Sequence, residues 1–214
     1  MLIHPWDAAR DEQEWRGWLT RHDFGHLAVN GAPGEPPWVQ PTHFRYDPEP
    51  GPFGRVITHL ARPNPLWRAL ETNPTVLLSV IDDYVHVPGH WTAPEGAPAE
   101  HGTPTSYYTA VQLRCTAHPV DAAEEKAALL NRQVAHFQPE GGTAAVAPGG
   151  APFGRLLSGI RGLELEVVDV RAKFKYAGNK PQEVQDRVSA RLAERAGPGD
   201  LRARAHQQRR RTNG

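Results

Sequence analysis

Between residues 24 and 117 the chain is cut into short runs of β-branched and aromatic residues by Gly, Pro and Asp-Asp, and this punctuation restricts the fold more than any other feature. The runs are Phe24 to Asn30, Trp38 to Tyr46, Arg55 to Leu60, Thr75 to Ile81, Tyr84 to Val87 and Thr105 to Ala117. Strand-length segments separated by turn formers predict an antiparallel barrel or sandwich. A last strand is expected over Gly162 to Val170, leading through Lys173-Phe174-Lys175 toward Pro181.

Helices are expected around this β core. Asp7 offers a cap for a first helix reaching about Leu19, with Trp15, Trp18 and Leu19 on one side. Asn64 before Pro65 marks a second start, since proline fits the first helical position, where its missing N–H costs nothing. Asp121 with Glu124 has a capping-box spacing and predicts a helix running toward Phe137. Val184, Val188 and Leu192, four apart, predict a helix after Pro181. Pro88 to Pro104 reads as a lid carrying His90, Trp91, Glu100 and His101, and Pro139 to Pro152 as a flexible connector. We expect one domain over residues 1–195 and a basic, disordered tail over 196–214.

Lys plus Arg and Asp plus Glu are both 24, so no net field draws the chain to nucleic acid or to an anionic membrane. The arginine-rich run Arg202 to Arg211 reads as a solvated tail, and no recognition helix accompanies it. A single cysteine, Cys115, excludes an internal disulfide. The first residues lack the charged and apolar regions of a signal peptide, so a cytoplasmic location is expected.

Several residues can carry chemistry. His59 closes an apolar strand before a rigid turn, where an imidazole either hydrogen-bonds at a barrel rim or offers one nitrogen to a cofactor or metal. The eleven histidines include no HExxH, and the pairs His22/His26 and His86/His90 nominate no further zinc ligands. Tyr107 and Tyr108 lie on opposite strand faces, so one packs inward and the other can face a pocket. Lys173 and Lys175, followed by Asn179-Lys180-Pro181, place cations beside a helix start, an arrangement suited to a phosphate or a carboxylate.

THLARPNPLW, PTSYYTAVQLRCTAHPVD and KFKYAGNKP, in that order, resemble the PaiB-like family of FMN-binding negative transcriptional regulators over about residues 1–195. The resemblance implies a mainly β, α+β fold: a split β-barrel with peripheral helices that forms a homodimer, with a cofactor pocket at the subunit interface. PaiB-like proteins tend to have Thr-Trp-Asn-Tyr where this chain has Thr105-Ser106-Tyr107-Tyr108, and a Gln-Asn pair where it has Gly178-Asn179. PTHFRYD, DDYVHVPG and AHFQPEG look similar to a branch of this fold, the haem-dependent piperazate synthases, which cyclise N5-hydroxyornithine by N–N bond formation with loss of water. That resemblance implies haem b, with FMN as the alternative, and an amino-acid substrate. It makes His59 the iron ligand and gives Arg62, Lys173 and Lys175 to haem propionates or a substrate carboxylate. Proton donation falls to Tyr107 or Tyr108, and substrate placement to His43 or Arg45.

Overall fold

The computed structural model describes residues 1–212 and is mainly β with helices attached. Seven strands form one sheet: β1 (Phe24–Val29), β2 (Trp38–His43), β3 (Arg45–Asp47), β4 (Arg55–Ala61), β5 (Thr75–Val87), β6 (Thr105–Val120) and β7 (Ile160–Lys175). Their order is β2-β1-β5-β6-β7-β4-β3, with antiparallel registers recorded for β1 with β2 and β5, and for β4 with β3 and β7. Five α-helices accompany them: α1 (Glu12–Leu19), α2 (Leu66–Thr72), α3 (Ala123–Phe137), α4 (Gln182–Arg195) and α5 (Asp200–Thr212).

Where one domain with a tail is expected, the chain groups into two compact units. One comprises Arg16–Val80 and Gln112–Val170; the other comprises Met1–Trp15, Ile81–Val111 and the chain from Arg171. In the first unit the alternation of the strands buries Leu27, Phe44, Val56, Leu78, Leu113, Leu163 and Leu165 completely. A fully buried side chain of this size contributes roughly 1.5–3 kcal/mol. In the second unit Tyr107, Phe174 and Tyr176 are buried, and so are Val184, Val188 and Leu192 of α4, the three valine and leucine positions that the sequence spacing picks out.

Several local expectations are corrected. Asp7 caps no helix: it sits buried in a 3-10 turn over Pro5–Asp7, while Asp11 Oδ1 accepts from Glu14 N (2.8 Å) at the start of α1. Asp82-Asp83 does not divide two strands, because Asp83 takes a left-handed φ of 57° inside a continuous β5. Asp adopts that conformation more readily than most residues. Asp121 gives its carboxylate to Arg161 and Arg62 rather than to α3, and the bonds from Arg161 hold its pKa below the usual range. The expected Asn64 cap is present, with Leu66 N donating to Asn64 Oδ1 at 3.0 Å.

The stretch expected as a disordered tail is helical over α5, with Asp200, Ala203, His206 and Gln207 buried in the second unit. Residues 213 and 214 of that tail lie outside the described residues. The 88–104 segment contains two 3-10 turns and a buried Trp91, whose carbonyl accepts from Arg187 of α4 at 2.8 Å. No helix among the described residues is long and apolar enough to cross a membrane.

Candidate functional site

In the first unit His59 lies on β4 opposite Gly162 of β7. A Cβ at Gly162 would stand 3.0 Å from Val120 Cβ and 3.1 Å from Leu129 Cδ1, so a side chain here would press on the seat of α3 by a few tenths of an ångström. Leu129 and Gln133 are four apart and share one helix face. With Leu129 against Gly162, Gln133 reaches His59: Nδ1 and Gln133 Oε1 are 2.7 Å apart. Gln133 is 3% exposed, and its Nε2 donates to Ile57 O at 3.4 Å, which orients the amide with oxygen toward the imidazole. An amide oxygen only accepts, so Nδ1 is the donor in this contact and the neutral form of His59 has its lone pair on Nε2.

His59 lines an apolar cleft of about 300 Å³ with Leu130 and Val134 of α3, Thr143, Val146, Phe153, Leu156, Leu157 and Ile160. The volume is at the lower end of the range of roughly 300–1,000 Å³ typical of small-molecule sites. The connector expected to be flexible builds one wall. Asn131 of α3 donates from Nδ2 to Val146 O (2.9 Å) and accepts from Val146 N (2.8 Å), a two-pronged bond that fixes a Gly- and Pro-rich segment without regular structure. Lys126, almost fully buried, donates to Leu157 O (2.5 Å) and Ile160 O (3.3 Å) and holds the cleft floor to α3.

His43 ends β2, and the Thr58 hydroxyl donates to its carbonyl (2.8 Å), which places its ring edge-on to His59 with centroids 5.1 Å apart. Partial burial, and then the proximity of His59, lower the pKa of His43 and favour the neutral imidazole. Phe137 packs against His43 at 5.3 Å, and His136 meets Asp23 at 3.2 Å. Arg45 is engaged elsewhere, pairing with Asp47 (2.8 Å) and donating to Arg132 O (3.2 Å). Arg62 lies at the surface, donating to Ser158 O (2.9 Å) and Asp121 (3.3 Å).

The second unit holds Tyr107, Tyr108, Lys173 and Lys175. A cavity of about 350 Å³ is lined by Lys173, Lys175, Lys180, Tyr107, Trp6 and His4, among others. Trp6 and His4 stack at 4.7 Å, and both lysine ammoniums lie 5.8 Å from the Tyr108 ring. Lys173 donates to Leu2 O (3.0 Å) and approaches Asp7 (3.8 Å), whose pKa burial raises against the pull of the two lysines. Tyr107 is buried, burial lifts its phenol well above the usual range, and Gln207 of α5 donates to its hydroxyl at 3.2 Å. Tyr107 is therefore the inward member of the pair, and it keeps its proton at any working pH.

The sequence reading missed Gln133, Asn131 and Lys126. Lys126 and Gln133, seven apart on α3, put polar groups on a helix face that otherwise packs inward, and that was the available signal; Asn131 lies off that face.

An open, mainly antiparallel sheet with helices on its flanks, carrying a histidine cleft and a cationic cavity, defines a split-barrel protein of the flavin-binding type. Solved structures of similar fold include the FAD and haem binding protein from Mycobacterium smegmatis (TM-score 0.62, 16% identity, 86% of this chain and 80% of that one). The flavocytochrome from Azotobacter vinelandii is also similar (TM-score 0.59, 20% identity, 79% and 70%). So is the conserved hypothetical protein Rv2991 from Mycobacterium tuberculosis (TM-score 0.54, 12% identity, 81% and 90%). No curated protein matches the chain in sequence. The chain belongs to the FMN_bind_2 family, described as "Putative FMN-binding domain", whose model matches residues 1–169.

Proposed function

We propose that this protein binds haem b, which His59 would hold through its iron, and cyclises N5-hydroxyornithine to piperazic acid, as a homodimer. The observation that carries the reading is the His59 tautomer: a buried amide oxygen accepts from Nδ1–H, which in the neutral ring leaves Nε2 to bind a metal at an apolar cleft. The lining suits the apolar face of a macrocycle, since apart from His59 and Thr143 it offers only hydrocarbon and one aromatic ring, while Arg62, Lys173 and Lys175 lie outside it. The bound iron would supply a Lewis acid for the hydroxylamine oxygen. His43, beside His59 and biased toward its neutral form, accepts a proton from the substrate's α-ammonium and frees the amine as a nucleophile. The N–O bond breaks as the N–N bond forms, and the hydroxyl leaves with a proton as water, so the reaction is a redox-neutral dehydration. The similar fold of a haem-binding protein supports the cofactor, and the resemblance of PTHFRYD, DDYVHVPG and AHFQPEG supports the reaction.

A second reading rests on the cationic cavity. Lys173, Lys175 and Lys180 beside stacked Trp6 and His4 suit a phosphate joined to a planar ring, the make-up of FMN, and the family description points the same way. The visible spectrum of protein expressed with a haem precursor separates the two. A single intense porphyrin band that is lost in His59→Ala supports the haem reading. A double-humped flavin spectrum that His59→Ala leaves unchanged overturns it.

A further inference from the structure

Gln133 lies behind His59, outside the lining of the cleft, and its geometry is that of a residue acting through its neighbour. It stands 74 residues away in sequence on α3, is 3% exposed, accepts from His59 Nδ1 at 2.7 Å and is itself anchored by the bond from its Nε2 to Ile57 O. Leu129, one turn earlier, seats α3 against Gly162, the residue paired with His59, so the amide is held by both helix packing and hydrogen bonding.

Resting on the haem reading above, we infer that Gln133 is a positioning residue that fixes the His59 tautomer and sets the electron donation of the imidazole to iron by presenting a neutral acceptor. The acceptor opposite a metal-binding imidazole controls the ring's orientation and basicity. A carboxylate there pulls harder on the Nδ1 proton, gives the ring more anionic character and stabilises ferric iron. An amide polarises it less, and an apolar side chain not at all, which favours ferrous iron in turn. The contact also places the single proton of the neutral ring on Nδ1, so that the lone pair lies on Nε2. Free histidine has no such constraint, since either ring nitrogen of the neutral form can hold the proton.

The test uses the full chain and the variants Gln133→Leu, Gln133→Glu and His59→Ala. In cofactor-free protein, nitrogen-15 shifts of the His59 ring should report a fixed Nδ1–H in the wild type, and a mixed or reversed tautomer in Gln133→Leu. In haem-loaded protein, the ferric/ferrous midpoint should move negative in Gln133→Glu and positive in Gln133→Leu. An unchanged tautomer in Gln133→Leu, or midpoints of both variants equal to the wild type, overturns the role of Gln133. A wild type that takes up no haem, or a His59→Ala protein with the same porphyrin band, overturns the haem reading instead, and the nitrogen shifts still judge the Gln133 contact. Should Gln133→Glu fail to fold because it buries a carboxylate, Gln133→Leu alone still decides both readouts.

Discussion

Two imidazoles 5.1 Å apart place opposite demands on protons. His59 gives its Nδ1 hydrogen to an amide, while His43 is disfavoured in its charged form by partial burial and by its neighbour. The folded pKa of His43 is thus below its unfolded value near 6.5. Between those two values the unfolded chain binds the proton that the native chain resists, so stability falls as pH drops through about 6.5. Urea titrations at about pH 7.5 and about pH 5.5 should show a lower midpoint at the acid pH. His43→Gln should flatten that difference, and an equal slope in both proteins would show that another group titrates. The sequence marks His59 because it stands at a strand end next to a turn, whereas His43 enters through the family resemblance. It does not mark Gln133, since nothing local ties position 133 to position 59 and only the packing of Leu129 on Gly162 brings them together.

At the scale of elements, legibility follows the range of the interaction. The Asn64 cap is read correctly because donor and acceptor are two residues apart. The Asp82-Asp83 pair misleads because its role is long-range: Asp83 pairs with His206 (2.7 Å) and Arg202 (3.0 Å) of α5, at 2% exposure. Composition labels α5 a solvated tail, yet its arginines have partners, with Arg210 on Glu14 at 2.7 Å and the Arg210 guanidinium over the Phe174 ring at 5.3 Å. Removing one side of a buried pair leaves the other without compensation, so Asp83→Ala should lower the unfolding free energy by about 3 kcal/mol, measured by chemical denaturation. A loss under about 0.5 kcal/mol, the level of an ordinary surface substitution, would mean that α5 is held by its apolar face alone.

For the whole molecule, a mainly β antiparallel barrel or sandwich was legible from punctuation and alternation, which are properties of the chain as a series of strands, and the family resemblance narrowed it to a split barrel. The division into two units was not, because β5, β6 and β7 each supply residues to both and no linker marks a boundary. In the first unit the face of β1 and β2 that carries His43 also exposes Phe24 and Val39, at 60% and 57%. Apolar side chains grouped this way mark an interaction surface, and a second copy of the chain is the proposed occupant. Phe24→Glu combined with Val39→Glu should reduce the mass in light scattering from two chains to one. A wild type that already runs as one chain removes the homodimer from the proposal.

The clamp from Asn131 onto Val146 has one more implication. A wall tied at both backbone groups to α3 is held in place, and Leu156, the lining residue most open to water at 65%, marks the open side of the cleft. The size of that doorway, rather than the length of the glycine-rich segment, then limits which molecules are admitted.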